Sequence, residues 1–256
     1  LKAIIASDLM NESNLQTRKN AFLAIADMPF SQEAASKLLV AADNEDNQSD
    51  TFIPQALFAA VLSHPTAFAD REVNTTAIAE DGGELSLADR ISLSLVSEQY
   101  TLDQRNTILF PPDPVGKEIA IRMILSKADD PLNGILVAQG NSTNGYSVYI
   151  YQDRLQFAVA QDGKVQIINS SRALPEDQFT VDATLVEDGS MTLSIDGEVV
   201  ATGKTKGLFT TELSPNRVRV GQNDSRNRVG NYEGSWWFAG TLSNKSSLAL
   251  KKPGVD

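Results

Sequence analysis

The feature that most constrains this chain is a run of short, strictly alternating segments between about Val115 and Leu242. In Gly145-Tyr146-Ser147-Val148-Tyr149-Ile150-Tyr151, the set Tyr146, Val148, Ile150 alternates with Ser147, Tyr149, Tyr151. A predicted turn at Asp153-Arg154 leads into Leu155-Gln156-Phe157-Ala158-Val159. Later, Met191-Thr192-Leu193-Ser194-Ile195 is joined by Asp196-Gly197 to Glu198-Val199-Val200. Successive strand side chains point to opposite faces, so period two marks a half-buried strand, and Asp-Gly marks a tight hairpin. Further strands are predicted at Glu118–Leu125, Gly134–Gln139, Lys164–Asn169, Phe179–Val186, Arg217–Val220 and Trp236–Leu242. So many short strands imply a mainly β fold, two antiparallel sheets stacked as a jelly-roll sandwich.

Residues 1–71 change period and read as an α-helical segment. Leu15, Phe22, Leu23, Ile25 and Ala26 fit one helix, closed by Pro29. Ser31 is a predicted N-cap, with Glu33 in the first turn and Leu38, Leu39 and Ala42 as the apolar stripe. Asn44 to Asp50 reads as an acidic loop. Asp50 or Thr51 then caps a third helix with Pro54 in its first turn, carrying Ala56, Leu57, Ala60 and Val61 and ending before Pro65. Residues 72–90 read as a polar linker. Ile91, Leu93 and Leu95 alternate with Ser92 and Ser94, which predicts the first strand of a sandwich spanning residues 91–250. Short helices with tight loops suggest HEAT-like packing. The stretch Asp50 to Ala60 resembles helical repeats of large bacterial multi-domain proteins that carry dehydrogenase or cytochrome modules.

Charge and cysteine exclude several functions. The net charge of −11 disfavours nucleic acid, whose phosphates need a basic face. Residues 1–110 hold 7 Lys/Arg against 16 Asp/Glu and residues 111–256 hold 15 against 17, so the acidity lies in the helical part. Without cysteine there are no disulfides, thiol nucleophiles or thiolate metal sites. No apolar run is long enough to span a bilayer. The chain begins at Leu1 without a signal-like segment, and reads as a processed or excised part of a longer protein.

Asn133-Gly134-Ile135-Leu136-Val137-Ala138-Gln139-Gly140, Asn144 to Tyr149 and Arg154-Leu155-Gln156-Phe157 together resemble the laminin G-like, concanavalin A-like sandwich family. So do Ile195-Asp196-Gly197-Glu198, Arg219-Val220-Gly221, Val229-Gly230-Asn231-Tyr232 and Phe238-Ala239-Gly240-Thr241-Leu242. The resemblance covers roughly residues 115–245 and is similar to the C-terminal sandwich domains of bacterial secreted enzymes. It implies a secreted or periplasmic setting and a fold that hosts lectins, glycan hydrolases, adhesion modules and spacers. Glycoside hydrolysis needs two carboxylates across the scissile bond. Asp182 and Glu187 are too isolated for that, so the expectation is a non-catalytic module.

The candidate ligand surface is aromatic and basic. Phe238 and Leu242 belong to the core in this resemblance, which turns Trp237 to the opposite face, as a sugar-stacking platform or as packing under a loop. Tyr149 and Tyr151 share a face and line a concave surface or pack across strands. Arg217, Arg219, Arg226 and Arg228 form the one basic cluster, suited to sulfate or carboxylate groups or to ion pairs with the acidic helical part. Asn223, Asp224 and Asn231 offer oxygen ligands for Ca2+, an ion the resemblance places at a loop rim. His64, the single histidine, sits at a predicted helix end just before Pro65, where the dipole favours a cation, and is expected to have a capping role. The expected partner is a polysaccharide or glycan; the alternative is a structural docking module bound to a neighbouring domain or subunit.

Overall fold

The computed structural model describes residues 2–50, 52–73, 85–96, 98–102, 112–126, 132–215, 217–223, 225–232, 236–243 and 245–254. The chain divides into two compact units, Leu1–Ser97 and Glu98–Asp256.

The first unit is helical. Among the described residues its helices are α1 (Lys2–Ala6), α2 (Leu15–Ala26), α3 (Gln32–Ala42), α4 (Glu45–Gln48), α5 (Ile53–Ser63), α6 (Thr66–Ala69) and α7 (Leu87–Val96). Ser31 caps α3 as its sequence predicts, its Oγ accepting from Ala34 N at 3.3 Å. Asp50 Oδ1 accepts from the amides of Phe52 and Ile53 at 2.7 and 2.8 Å and so begins α5. The predicted acidic loop after Asn44 contains the short helix α4. No helix among the described residues is long and apolar enough to cross a membrane.

Two buried polar groups tie these helices together. The first is a guanidinium: Arg18 is 4% exposed and donates from Nε to Glu12 O (2.9 Å) and from Nη1 to Asn47 Oδ1 (2.7 Å). Asn47 in turn donates to Ala41 O at 2.8 Å. The second corrects an expectation. His64 is fully buried, and its Nδ1 accepts from Ser31 N at 3.0 Å while Nε2 lies 3.1 Å from Ile25 O. An acceptor at Nδ1 fixes the neutral Nε2–H tautomer, so His64 is a bridge between helices rather than a cation on a dipole.

Residues 91–95 are also corrected: they belong to helix α7, not to a first strand, and the β unit begins at Glu98. Leu87, Ala88, Ile91 and Ser92 are its buried face, which is helical spacing. Ser86 Oγ accepts from Asp89 N and donates to Asp89 Oδ2, a reciprocal cap that starts the helix.

The second unit is a β-sandwich. Its strands are β1 (Gln99–Thr101), β2 (Glu118–Ser126), β3 (Gly134–Gly140), β4 (Gly145–Tyr151), β5 (Arg154–Gln161), β6 (Lys164–Asn169), β7 (Phe179–Leu185), β8 (Ser190–Ile195) and β9 (Glu198–Lys204). They continue as β10 (Arg219–Val220), β11 (Gln222–Asn223), β12 (Trp236–Trp237), β13 (Thr241–Leu242) and β14 (Ser247–Lys251). One sheet has the order β1-β14-β2-β7-β8-β9, with β13 also on β2; the second is β10-β3-β4-β5-β6, and β11-β12 form a small ribbon. Every ladder between these described strands is antiparallel. Between the two main sheets lie Ile119, Ile121, Met123, Phe179, Val181, Leu193 and Ile195 from one side, and Tyr146, Val148, Ile150, Leu155, Phe157 and Val159 from the other. Each such burial is worth about 1.5–3 kcal/mol. The turn between β4 and β5 is Gln152-Asp153, one residue earlier than its sequence suggests, and both residues have positive φ (51° and 55°).

One core residue is imperfectly satisfied. Tyr146 Oη is buried and has no hydrogen-bond partner among the described residues. Burial pushes its pKa far above the usual tyrosine value. An unpaired buried hydroxyl costs about 1–3 kcal/mol. Tyr146→Phe is therefore expected to stabilise the sandwich by about 1 kcal/mol, read as a higher urea midpoint with unchanged slope; a lower midpoint would show that the hydroxyl is satisfied in solution.

Candidate functional site

The outer face of the five-stranded sheet is where a concave-surface ligand would be sought. Register places Arg219, Ala138, Ser147, Ala158 and Ile167 in one row across it. A second row is Ile135, Tyr149, Gln156 and Asn169, and a third is Gly140, Gly145, Ala160 and Val165. These rows contain no carboxylate. Their small side chains leave room for the chain itself: the segment 228–232 folds down onto the face. Val229 and Tyr232 join Ile135, Ala138, Tyr149, Ala158 and Ala160 in a second, smaller core. Ser147 Oγ donates to Val229 O, and Val229 N donates to Tyr232 Oη at 3.2 Å.

This cover changes the role of Tyr149. The sequence offers it as a ligand-facing tyrosine, but it is fully buried. Its ring meets that of Tyr232 edge-on at 4.9 Å and 63°. Its hydroxyl donates to Asn231 Oδ1 at 2.7 Å and accepts from Asn231 N at 3.4 Å. Burial raises the Tyr149 pKa above its ordinary value, partly opposed by the hydrogen bond with Asn231. Tyr149 is thus the anchor of the covering segment. Tyr151, on the same side of β4, is half-buried against this cluster.

The remaining candidates fall in three places. Arg217 is exposed and Arg219 half-buried, and Val218 and Val220 between and beyond them enter the core, as alternation implies. Arg226 lies exposed in a 3-10 turn, Ser225–Asn227. Arg228 donates from Nη1 to Tyr232 O at 2.8 Å and so braces the covering segment. Of the oxygen ligands considered for calcium, Asn231 uses Oδ1 to hold Tyr149, and Asn223 pairs with Trp236 in the β11–β12 ladder. Asp224 lies outside the described residues. No group of three or more His, Cys, Asp or Glu among the described residues is arranged to hold a metal ion. Asp182, the isolated acid of β7, is held by Arg122 through two contacts of 2.7 and 3.2 Å.

Among the described residues of the sandwich, Trp237 is the exposed aromatic. It is 72% exposed, while Phe238 beside it is 7% exposed and belongs to the core. Trp237 stands directly opposite the exposed Gln222 in the β11–β12 ladder, so the two side chains share a side. The backbone beneath is held firmly. Phe238 N donates to Gly221 O at 2.9 Å and Ala239 N to Asn133 O at 3.3 Å. Gly134 approaches so closely that a Cβ there would lie 2.4 Å from Trp237 O. Asn133 Oδ1 also accepts from Gln152 N at 3.0 Å. One residue therefore fastens both the β4–β5 turn, next to Tyr151, and the segment after Trp237 to the same corner. Neither Asn133 nor Gln222 stands out in the sequence, although the Asn133-Gly134 pair lies within the family-like stretch.

Residues 122–245 match the family described as the concanavalin A-like lectin/glucanases superfamily, laminin G type. Among solved structures, the chain is similar to mouse laminin α1 chain domains LG4-5, at 11% identity and TM-score 0.44, over 63% of this chain and 48% of that one. It is also similar to a botulinum neurotoxin type C structure described by its dependence on two ganglioside molecules for cell entry, at 17% identity and TM-score 0.36, over 52% and 32%. The botulinum neurotoxin serotype C1 binding domain is similar at 15% identity and TM-score 0.33, over 53% and 32%. The chain thus spans a third to a half of the length of these structures. No curated protein sequence matches the chain. With its two antiparallel sheets and this match over residues 122–245, the sandwich has a concanavalin A-like fold of laminin G type.

Proposed function

We propose that the sandwich is a non-catalytic carbohydrate-binding module of a larger secreted or periplasmic bacterial protein, with Trp237 as its stacking platform. The observation that carries this reading is the 72% exposure of Trp237 on the β11–β12 ladder, opposite Gln222. An indole left in water costs free energy unless something covers it, and the apolar face of a pyranose ring is a suitable cover. Gln222 beside it can both donate to and accept from ring hydroxyls. Arg219 on the five-stranded sheet's outer face and the exposed Arg217 just before β10 supply cationic groups, which favours sulfated or carboxylated polysaccharides. The alternative is a docking module whose neighbouring domain or subunit covers Trp237; the exposure within this unit excludes only packing of the indole under a loop of the sandwich.

Trp237→Ala is expected to abolish retention on the polysaccharide column that holds the unaltered chain. Because the side chain is exposed, the melting temperature should move by less than about 2 °C. Iodide quenching of tryptophan fluorescence, relieved by the same glycan, gives an independent readout. Undiminished retention of the variant would place the glycan elsewhere.

A further inference from the structure

Helix α5 contains no charged residue between Ile53 and Ser63. Ile53, Leu57, Ala60 and Val61 are buried within the helical unit. On the other side, Phe52, Gln55, Ala59 and Leu62 recur at helical spacing and are exposed or half-exposed. Phe52 is 62% exposed and Leu62 52%. A helix apolar on all sides belongs in an enclosed position.

The adjoining helix extends this stripe. Lys19 of α2 places Nζ 5.9 Å from the centre of the Phe52 ring, and Ser63 Oγ donates to Ala26 O at 2.7 Å. The two helices therefore run side by side in the same direction. Leu15 and Leu23 lie one turn to either side of Lys19 on α2, 48% and 42% exposed. Leu15, Leu23, Phe52 and Leu62 thus form an apolar surface on two adjacent helices, crossed by the stem of Lys19.

We infer that the α2–α5 face is a protein-interaction surface that receives an amphipathic helix whose apolar stripe is flanked by Lys and Arg. Parallel helical ridges accept such a helix through anchors spaced one turn apart. The flanking charge follows from the unit itself: residues 1–97 hold 6 Lys/Arg against 14 Asp/Glu, a net of −8. That field attracts a basic helix and repels a second copy of this chain. Gln55, Ala59 and Leu62 are uncharged, so covering them buries no ion. The inference is independent of the glycan reading, which concerns the other unit.

The test uses the whole chain and a fluorescent Leu/Lys amphipathic peptide about five turns long, followed by anisotropy. A scrambled peptide of the same composition and a Leu/Glu version serve as comparisons. Binding of the Leu/Lys peptide at least about tenfold tighter than either comparison, weakened about tenfold by the double variant Phe52→Ser/Leu62→Ser, is the expected result. Val40→Ser and Trp237→Ala, at exposed positions outside the stripe, should leave it unchanged. Equal binding of the scrambled peptide, or full binding by the double variant, overturns the inference. So does a dimer in sedimentation that Phe52→Ser/Leu62→Ser dissolves, since the occupant would then be a second copy.

Discussion

Gly230→Ala is expected to destabilise the sandwich by about 4 kcal/mol. Gly230 has φ +125°, a conformation that strains any residue with a Cβ by about 1–3 kcal/mol. The added carbon would also lie 2.6 Å from Tyr149 Oη and 2.8 Å from Cζ. Tyr149 is fully buried against Tyr232 and bonded to Asn231, so it can retreat only by breaking those contacts. Overpacking of this kind adds about 1–3 kcal/mol. For a unit of this size the melting temperature should fall by roughly 10 °C. Gly197→Ala separates the two contributions, because Gly197 also has positive φ (79°) but nothing within 4 Å of its Cβ position. Scanning calorimetry should show a loss of about 1 kcal/mol there. Equal losses at the two sites would mean that the Tyr149 contact contributes nothing.

His64→Ala is expected to cost the helical unit about 3 kcal/mol. The substitution empties a fully buried site and leaves Ser31 N and Ile25 O without their partner. A cavity and an unpaired amide are each worth about 1–3 kcal/mol. The physical interest lies in what His64 does for α3. Ser31 Oγ satisfies Ala34 N, and an acidic residue at that position would normally reach back to the Ser31 amide. Position 34 is alanine, and the ring of His64 performs that half of the cap from another helix. Ser31→Ala, which removes only the local half, should cost about 1 kcal/mol. Chemical denaturation of both variants tests this; a His64→Ala loss no larger than that of Ser31→Ala would refute the remote cap.

The strand run was legible where strands are half-buried: β2 and β7 alternate residue by residue, whereas β3, β4 and β5 are buried on both faces along most of their length. Alternation failed at Ile91, Leu93 and Leu95, where three apolar residues spaced by two also fit the flank of a helix. The reciprocal Ser86–Asp89 cap was the available signal, since Ser followed three residues later by an acid begins helices. For the site, alternation placed Trp237 opposite the core correctly relative to Phe238. It also placed Tyr149 correctly on the outer side of β4. It could not reveal that this side is covered, because Val229 and Tyr232 arrive from about 80 residues further along the chain. Period-two reasoning assigns a face; only the tertiary path of a loop decides whether that face is wet. The role of Asn133 was hidden for a similar reason, because its partners, Gln152 and Ala239, are far apart in sequence.

On the proposed glycan reading, the filled outer face has a consequence for how such a module would hold its ligand. Among the described residues, Ala138, Ala158 and Ala160 are sealed beneath Val229 and Tyr232, so this part of the face offers no open trough to grip a polymer residue after residue. Recognition through one indole and its immediate neighbours is worth only a few kcal/mol, which corresponds to dissociation constants on the order of millimolar. Useful hold on a polysaccharide then comes from tethering: once one contact is made, a linked domain searches a confined volume at an effective concentration that is also on the order of millimolar. On the proposed glycan reading, such a domain would slow the departure of linked domains from a surface rich in repeated sugars, with each individual contact brief.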